Sequence, residues 1–354
     1  MLGGQLSWPE EEKVETAIVF RGVATPRPLL PDEISALVVL ERIQSSPISE
    51  IRFHDRSECS PEQIDEFLAQ GLFPVELGDM SYKTIDVGSA TEAVIVNLGL
   101  NPTEMSSGVS KLIELMARRN QSGYLNQNHM SVPRILGNLY DLGYDEMDLI
   151  DRFKDVVQAF IDDKDRKAES RAPARDDTTM ESELPELVQV TKKCQFASFT
   201  PGRYLRDLWR RGDPVDQIRE KVSFWIDAWD RFQKEYANAR TEWAEMGKIN
   251  FCVLGLSGAA VETNNRFIAK VAAPTVDIFI NRRFDGHGAV MTLGRDMSAL
   301  AEELEQLEPG RWYYHRPAGH LINGGSSPAS ELSLDRLIEL VKENHPPIEI
   351  SKSK

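Results

Sequence analysis

The alternation of strand-like and helix-like segments in the first 77 residues is the feature that most constrains the fold. Apolar, β-leaning runs occur at Ala17–Val23, Ile48–His54 and Leu72–Leu77. Between them lie two segments of helical pattern, Glu33–Gln44 and Ser60–Gln70. The order strand, helix, strand, helix, strand is typical of a parallel sheet with packed helices. We therefore predict an α/β protein that begins with a parallel-sheet domain.

The remainder of the chain predicts a helical extension, a linker and a second domain. Apolar residues at helical spacing continue to Ile161, so the first domain is predicted to span residues 1–162. Residues 163–185 are charged, small and proline-bearing, which is typical of a linker or a disordered loop. A smaller C-terminal α/β domain is predicted over residues 186–354, with a long helix at 214–243 whose aromatic residues serve packing.

Composition limits the partners of the chain. Its 354 residues carry a formal net charge of −15, which argues against binding to long duplex nucleic acid but leaves room for a local basic cleft. No signal-peptide pattern and no apolar run long enough for a membrane span occur, so we expect a cytoplasmic protein. The three cysteines are far apart, and none lies in a cationic sequence context that would favour a nucleophile.

Carboxylates follow each of the three predicted N-terminal strands. Ligands bind at the carboxyl ends of strands in open parallel sheets, and Mg²⁺ or Mn²⁺ prefers oxygen donors. The candidate metal ligands are Asp32, Asp55, Glu76, Asp79 and Asp86. A bland alternative stays open, in which Asp32 caps the helix that follows it and the others are solvated loop carboxylates.

A second candidate site is cationic and lies in the C-terminal half. The phrase WYYHRPAGHLINGG, from Trp312 to Gly325, combines imidazole and guanidinium donors with glycines that permit close backbone approach. The candidate substrate-binding residues are Arg282, Arg283, His315, Arg316, Gly319, His320, Gly324 and Gly325. Arg266, Lys270 and Arg311 could extend the same cleft. The alternatives are a solvated basic face and an ordinary strand, turn and strand.

These features resemble the DHH phosphoesterase superfamily, in particular the branch of the melanocyte-proliferating-gene-product exonucleases. His315, Gly319 and the Gly324-Gly325 pair stand where that branch has a histidine, a glycine and a Gly-Gly turn. Asp32-Glu33 match the terminal acidic pair of its first motif, and Glu76 stands near the acidic residue of the next. The resemblance implies a metal-binding N-terminal domain, catalytic roles for Asp32 and Asp86, and a C-terminal domain that grips a nucleotide or a short oligonucleotide.

The sequence departs from that family at the metal motifs. Four histidines that the family pattern expects have no counterpart, and the DHH motif itself is represented by Asp86-Val87-Gly88. Three readings follow. In the first, the chain is a phosphodiesterase that uses Mn²⁺ or Mg²⁺ held by carboxylates. In the second, it is a relative that has lost the metal and either senses a nucleotide or assembles with a protein partner. In the third, it is a structural protein that forms homo-oligomers through the long aromatic helix.

Overall fold

The structure is a computed structural model that describes residues 19–26, 29–54, 59–77, 88–122, 130–192, 199–292, 295–315, 319–324 and 328–344. The chain divides into two units, residues 1–226 and 227–354. This division falls inside the long helix α10 (Val215–Glu245), not within the expected linker at 163–185. The long helix itself agrees with the sequence prediction within two residues at each end.

The first unit contains the predicted parallel sheet. Its three strands are β1 (Gly22–Pro26), β2 (Glu50–His54) and β3 (Leu72–Pro74), with β1 in the centre and both pairings parallel. The two crossover helices are α1 (Pro31–Gln44) and α2 (Pro61–Ala69). The predicted α/β character of the N-terminal region is therefore confirmed, with strand ends shifted by a few residues.

Helix α1 is enclosed over most of its length. Every residue from Pro31 to Leu40 is buried, including the acidic residues Asp32 and Glu33. Between Ile34 and Leu40 the only polar side chain of α1 is Ser35, whose hydroxyl donates to the Pro31 carbonyl, and a helix that is apolar on nearly all sides belongs in the interior of a folded unit. Burial of two carboxylates in its first turn requires compensating donors, because an unpaired buried charge is costly.

A set of helices completes the first unit. In chain order these are α3 (Ala90–Asn97), α4 (Ser107–Ser122), α5 (Val132–Asp141), α6 (Glu146–Ala168), α7 (Asp177–Glu183), α8 (Pro185–Thr191) and α9 (Pro201–Arg211). Apolar residues of α6 that have helical spacing, among them Phe153, Val157 and Phe160, are buried as their periodicity predicts.

Much of the segment 163–185, which was expected to be a linker or a disordered loop, is helical. Residues 163–168 form the last turns of α6, and α7 occupies Asp177–Glu183. The segment is ordered by charge rather than by apolar content, because its acidic and basic side chains pair with one another and with α9. Asp163 is the clearest case, since its side chain is only 1% exposed and contacts several cations.

The second unit contains a mixed sheet of six strands in the order β4-β5-β6-β7-β9-β8. The strands are β4 (Ile249–Val253), β5 (Leu256–Glu262), β6 (Ile278–Arg282), β7 (Gly288–Thr292), β8 (Tyr313–His315) and β9 (His320–Asn323). Only β5 and β6 pair in parallel. Its short helices are α11 (Phe267–Ala272), α12 (Ser298–Leu307) and α13 (Leu334–Asn344), and the last two pack on an apolar core with β6 and β7.

No helix within the described ranges is both long enough and apolar enough to cross a bilayer.

Candidate functional site

Asp32, the first predicted metal ligand, is a buried hydrogen-bond acceptor at the start of α3. One carboxylate oxygen accepts the backbone N–H of Ala90 at 2.8 Å and the side-chain amide of Asn120 at 2.8 Å. The other accepts the backbone N–H of Thr91 at 3.2 Å and its hydroxyl at 2.9 Å. Asp32 therefore ties α1 to the N-terminus of α3.

Asp32 is also not the N-cap of α1, which was the alternative to a metal ligand. The N-cap of α1 is Leu30, which makes no capping side-chain bond, and Asp32 lies inside the first turn of α1. It satisfies donors of another helix, 58 residues further along the chain, where the positive end of the helix dipole also favours a carboxylate.

The geometry of Asp32 does not fit a metal ligand. A carboxylate offers about four acceptor positions, and four donors occupy those of Asp32. A cation would have to displace these donors and leave buried N–H groups without partners. Asp32 therefore has no free acceptor position for a metal ion.

Of the other predicted ligands, only Glu76 falls within the described residues. It follows β3, is partly buried, and has a backbone φ of 56°, in the left-handed region that non-glycine residues seldom occupy. Asp55, Asp79 and Asp86 lie outside the described residues. Within the ranges that the structure describes, no group of three or more His, Cys, Asp or Glu side chains is arranged to hold a metal ion.

The C-terminal phrase forms a β-hairpin. Strands β8 and β9 are antiparallel, and His315 and His320 are direct cross-strand partners. Gly319 has a φ of 63°, and its carbonyl accepts the backbone N–H of Thr292 at 3.0 Å. A Cβ at this position would lie 2.6 Å from the Thr292 hydroxyl, so packing alone explains the glycine. The two paired strands agree with the open alternative of a strand, a turn and a strand, and residues 316–318 between them lie outside the described residues.

The remaining substrate-binding candidates are partly engaged within the fold. Arg282 pairs with Glu262 and donates from Nε to the Leu332 carbonyl at 2.9 Å, while Arg283 pairs with Asp285. Gly324 directly follows β9. Arg316 and Gly325 lie outside the described residues, as does the side chain of His315.

A charged cleft in the first unit was missed by the sequence reasoning. It lies between the C-terminal half of α6, helix α9 and the end of α1. Its volume is about 320 Å³. The lining residues are Arg42, Asp162, Asp163, Asp165, Arg166, Arg171, Ala172, Ala174, Asp207, Arg210 and Arg211.

Four cations converge on one buried carboxylate of this cleft. Asp163 forms ion pairs with Arg166, Lys167, Arg203 and Arg210, the last at 3.6 Å. Burial by itself would raise the pKa of Asp163, but the hydrogen bond from Lys167 and the charge of Arg203 hold that pKa below its ordinary value. Asp163 is therefore ionised at neutral pH.

Asp207 behaves in the opposite way in the same cleft. It is 2% exposed, and its charged neighbour is Arg203, whose Nε lies 2.8 Å from one carboxylate oxygen. Burial raises the pKa of Asp207 to about 7, although the charge of Arg203 opposes this shift. That same oxygen has no well-aligned hydrogen-bond donor. Near neutral pH this carboxyl group is divided between its acid and its ionised form.

The sequence contained a signal for the cleft. In α9, residues Arg203, Asp207 and Arg210 recur at spacings of four and three, and so share one helix face. In α6, Arg166 and Lys167 lie three and four residues after Asp163 and so face it along the helix. The charges of residues 163–167 were interpreted as linker composition, and those of α9 were not singled out, because periodicity was sought only among apolar residues.

The structure also brings together a cysteine and a histidine that sequence context did not link. The sulfur of Cys59 lies 3.7 Å from Nδ1 of His54, at the end of β2. A cysteine nucleophile was not predicted from the sequence context of Cys59, yet this imidazole lies only five residues away along the chain.

No family model and no curated protein matches the chain. Among solved structures, the exonuclease RecJ bound to manganese is similar at a TM-score of 0.41 and 11% identity, over 92% of this chain and 91% of that one. An uncharacterized protein from Helicobacter pylori G27 gives a TM-score of 0.27 and 11% identity, over 91% and 98% of the two chains. Both similarities are low, so neither structure assigns this chain a family, a ligand or an activity.

Proposed function

We propose that the chain is a non-catalytic protein of the DHH-phosphoesterase type, which binds a nucleotide or a protein partner without hydrolysing a phosphodiester. The observation that carries this proposal is the state of Asp32. The family resemblance makes Asp32 a metal ligand and a catalytic residue. In the structure both of its oxygens are already occupied by donors from α3 and α4.

The chemistry of phosphodiester hydrolysis explains why this matters. Metal-dependent hydrolysis needs carboxylates with free lone pairs to hold the ion that activates water and neutralises the phosphate. A carboxylate that accepts hydrogen bonds at a helix N-terminus stabilises that helix, and its lone pairs are then not free to hold a metal ion. The histidines that the resemblance expects are also missing from the sequence, so no imidazole ligand stands at those motif positions to replace Asp32.

A second candidate function is a phosphodiesterase that uses Mn²⁺ or Mg²⁺ held by other carboxylates at the strand ends. The observation that favours it is the positive φ of Glu76 directly after β3. Strained backbone of this kind is concentrated at functional sites. In this reading Glu76 is a ligand together with Asp55, Asp79 and Asp86, and Asp32 only positions α3.

Activity measurements with three forms of the protein separate these functions. Wild type, Asp32→Asn and Glu76→Gln are incubated with Mn²⁺ and bis-para-nitrophenyl phosphate, and circular dichroism verifies that each variant is folded. The proposal predicts no turnover above the buffer rate in any of them. Turnover that is lost in Glu76→Gln but kept in Asp32→Asn would establish the second candidate. Turnover that a folded Asp32→Asn variant loses would contradict the structural role given to Asp32.

A further inference from the structure

The charged cleft holds more positive than negative charge around its buried centre. Four cations contact Asp163. Among the described residues they share only two further carboxylates, because Arg203 also contacts Asp207 and Arg210 also contacts Asp177. Of these three carboxylates, Asp207 is partly neutral near pH 7.

The other two carboxylates that line the cleft, Asp162 and Asp165, are engaged in contacts within the fold. Asp165 accepts the backbone N–H of Gly108 at 2.6 Å and also pairs with Arg42 at 2.8 Å. Asp162 accepts the Gln158 amide at 2.8 Å and pairs with Arg42 at 3.0 Å. Two carboxylates therefore face Arg42 on the α1 side, and Asp162 also lies 3.8 Å from Arg211. The positive surplus is confined to the cations around Asp163 on α6 and α9.

The wall of the cleft is a short segment between α6 and α7. The backbone N–H of Arg171 donates to the Arg166 carbonyl at 2.9 Å, and that of Ala174 donates to the Arg210 carbonyl at 2.9 Å. The segment thus joins the ends of α6 and α9 and holds Arg171 at the cleft. The side chain of Arg171 is 62% exposed and pairs with an equally exposed Glu169. Exposed pairs of this kind are weak, so Arg171 can exchange Glu169 for another anion at low cost.

We propose that this cleft binds the dianionic phosphate group of a small phosphorylated molecule through Arg166, Arg171 and Arg210. Guanidinium groups hold phosphate oxygens with paired, charge-assisted hydrogen bonds. The carboxyl group of Asp207, in its acid form, donates a further hydrogen bond to a phosphate oxygen. The cavity of about 320 Å³ lies at the small end of the range for ligand pockets, which suits a compact ligand.

This site is separate from the residues predicted from sequence. It contains none of the strand-end carboxylates and none of the hairpin residues, and all of its lining residues lie in the first unit. The inference does not depend on the proposed loss of hydrolysis, because an anion site in the cleft is compatible with either function.

Calorimetric titration in a metal-free buffer with a chelator tests the site. The probes are inorganic phosphate and adenosine monophosphate, and the test variant is Arg171→Ala. The matched control is Arg219→Ala, which breaks a similarly exposed ion pair with Glu186 outside the cleft. A second test variant, Arg166→Gln, removes a cation from the buried centre.

We expect the wild type and Arg219→Ala to bind both probes alike, and Arg171→Ala to bind them about tenfold more weakly, because it loses a charge-assisted contact. Tighter binding of adenosine monophosphate than of phosphate identifies a phosphate ester as the ligand, and equal binding identifies free phosphate. The proposal is overturned if the wild type binds neither probe at millimolar concentration. It is also overturned if Arg171→Ala and a folded Arg166→Gln both keep the wild-type affinity.

Discussion

Two buried aspartates of the first unit, Asp32 and Asp163, are satisfied in different ways. Asp32 accepts four hydrogen bonds from neutral donors, namely two backbone N–H groups, a hydroxyl and an amide. Asp163 is surrounded by four cations, three of them arginines. Neutral donors fill the acceptor positions of Asp32. Cations in excess of the carboxylates leave the surroundings of Asp163 positive, and a cavity opens beside them.

The two arrangements differ in the kind of ligand that they can bind. A carboxylate whose acceptor positions are filled by the fold is closed to a metal ion, even if its sequence position resembles a metal motif. A carboxylate that is shared by several cations cannot neutralise them all, so the site as a whole attracts an anion.

The substitution Asp163→Ala should have the largest effect on stability. It leaves four cations close together in a buried place, and removal of one partner from a buried ion pair costs about 3–5 kcal/mol. Urea denaturation followed by circular dichroism measures the loss. Asp163→Asn preserves the shape without the charge and should lose nearly as much. A midpoint equal to that of wild type in both variants would show that the cations do not depend on Asp163.

The substitution Asp32→Ala should cost about 2–3 kcal/mol, because helix-capping losses of about 1 kcal/mol add to the desolvation penalty of buried donors. Asp32→Asn keeps one acceptor oxygen and should lose less. The same denaturation experiment orders the two variants. If Asp32→Ala is as stable as wild type, its hydrogen bonds to α3 contribute nothing and the comparison fails.

Asp207→Asn should change how stability depends on pH. The folded-state pKa of Asp207 is about 7, above that of the unfolded chain, so the folded state holds the extra proton between about pH 4 and pH 7. This group therefore makes the protein less stable as pH rises through that interval. The free energy of unfolding, measured at several pH values, should therefore fall less for Asp207→Asn than for wild type as pH rises. The lowered pKa of Asp163 acts in the opposite direction, since its contribution is lost as pH falls. A constant difference between Asp207→Asn and wild type across this interval would refute the assignment.

Arg171→Ala should have the smallest effect on stability. Its ion pair with Glu169 is exposed, and such pairs contribute little. Its urea midpoint should be indistinguishable from those of wild type and Arg219→Ala. A clear loss for Arg171→Ala alone would mean that Arg171 serves the fold, and any loss of phosphate binding in that variant would then have two explanations.

The parallel sheet of the first unit could be predicted because its signal is local. Alternating segments such as Glu33–Gln44 and Leu72–Leu77 carry their own periodicity and breakers, so their type and order follow from short stretches of chain. The six-stranded arrangement of the second unit could not, because strands β8 and β9 are only three and four residues long and their order depends on distant pairings.

The sites were harder to predict than the elements. The role of Asp32 depends on Ala90 and Thr91, which reach it only after the chain has folded back. The charged cleft was hidden for another reason, since residues 163–185 have the composition of a solvated linker. Their order comes from ion pairs such as Arg210–Asp177, which a search for apolar periodicity does not detect.

The claim that Asp32 is closed to a metal ion is tested most directly by an NMR titration with Mn²⁺. In amide NMR spectra, a bound Mn²⁺ ion broadens the signals of nearby residues, and the backbone N–H groups of Ala90 and Thr91 donate to the Asp32 carboxylate. The account predicts that at sub-stoichiometric Mn²⁺ these two signals broaden no more than those of Leu205 and Leu208 in α9. Selective broadening of Ala90 and Thr91 that is absent in Asp32→Asn would place a metal ion at Asp32 and contradict the account.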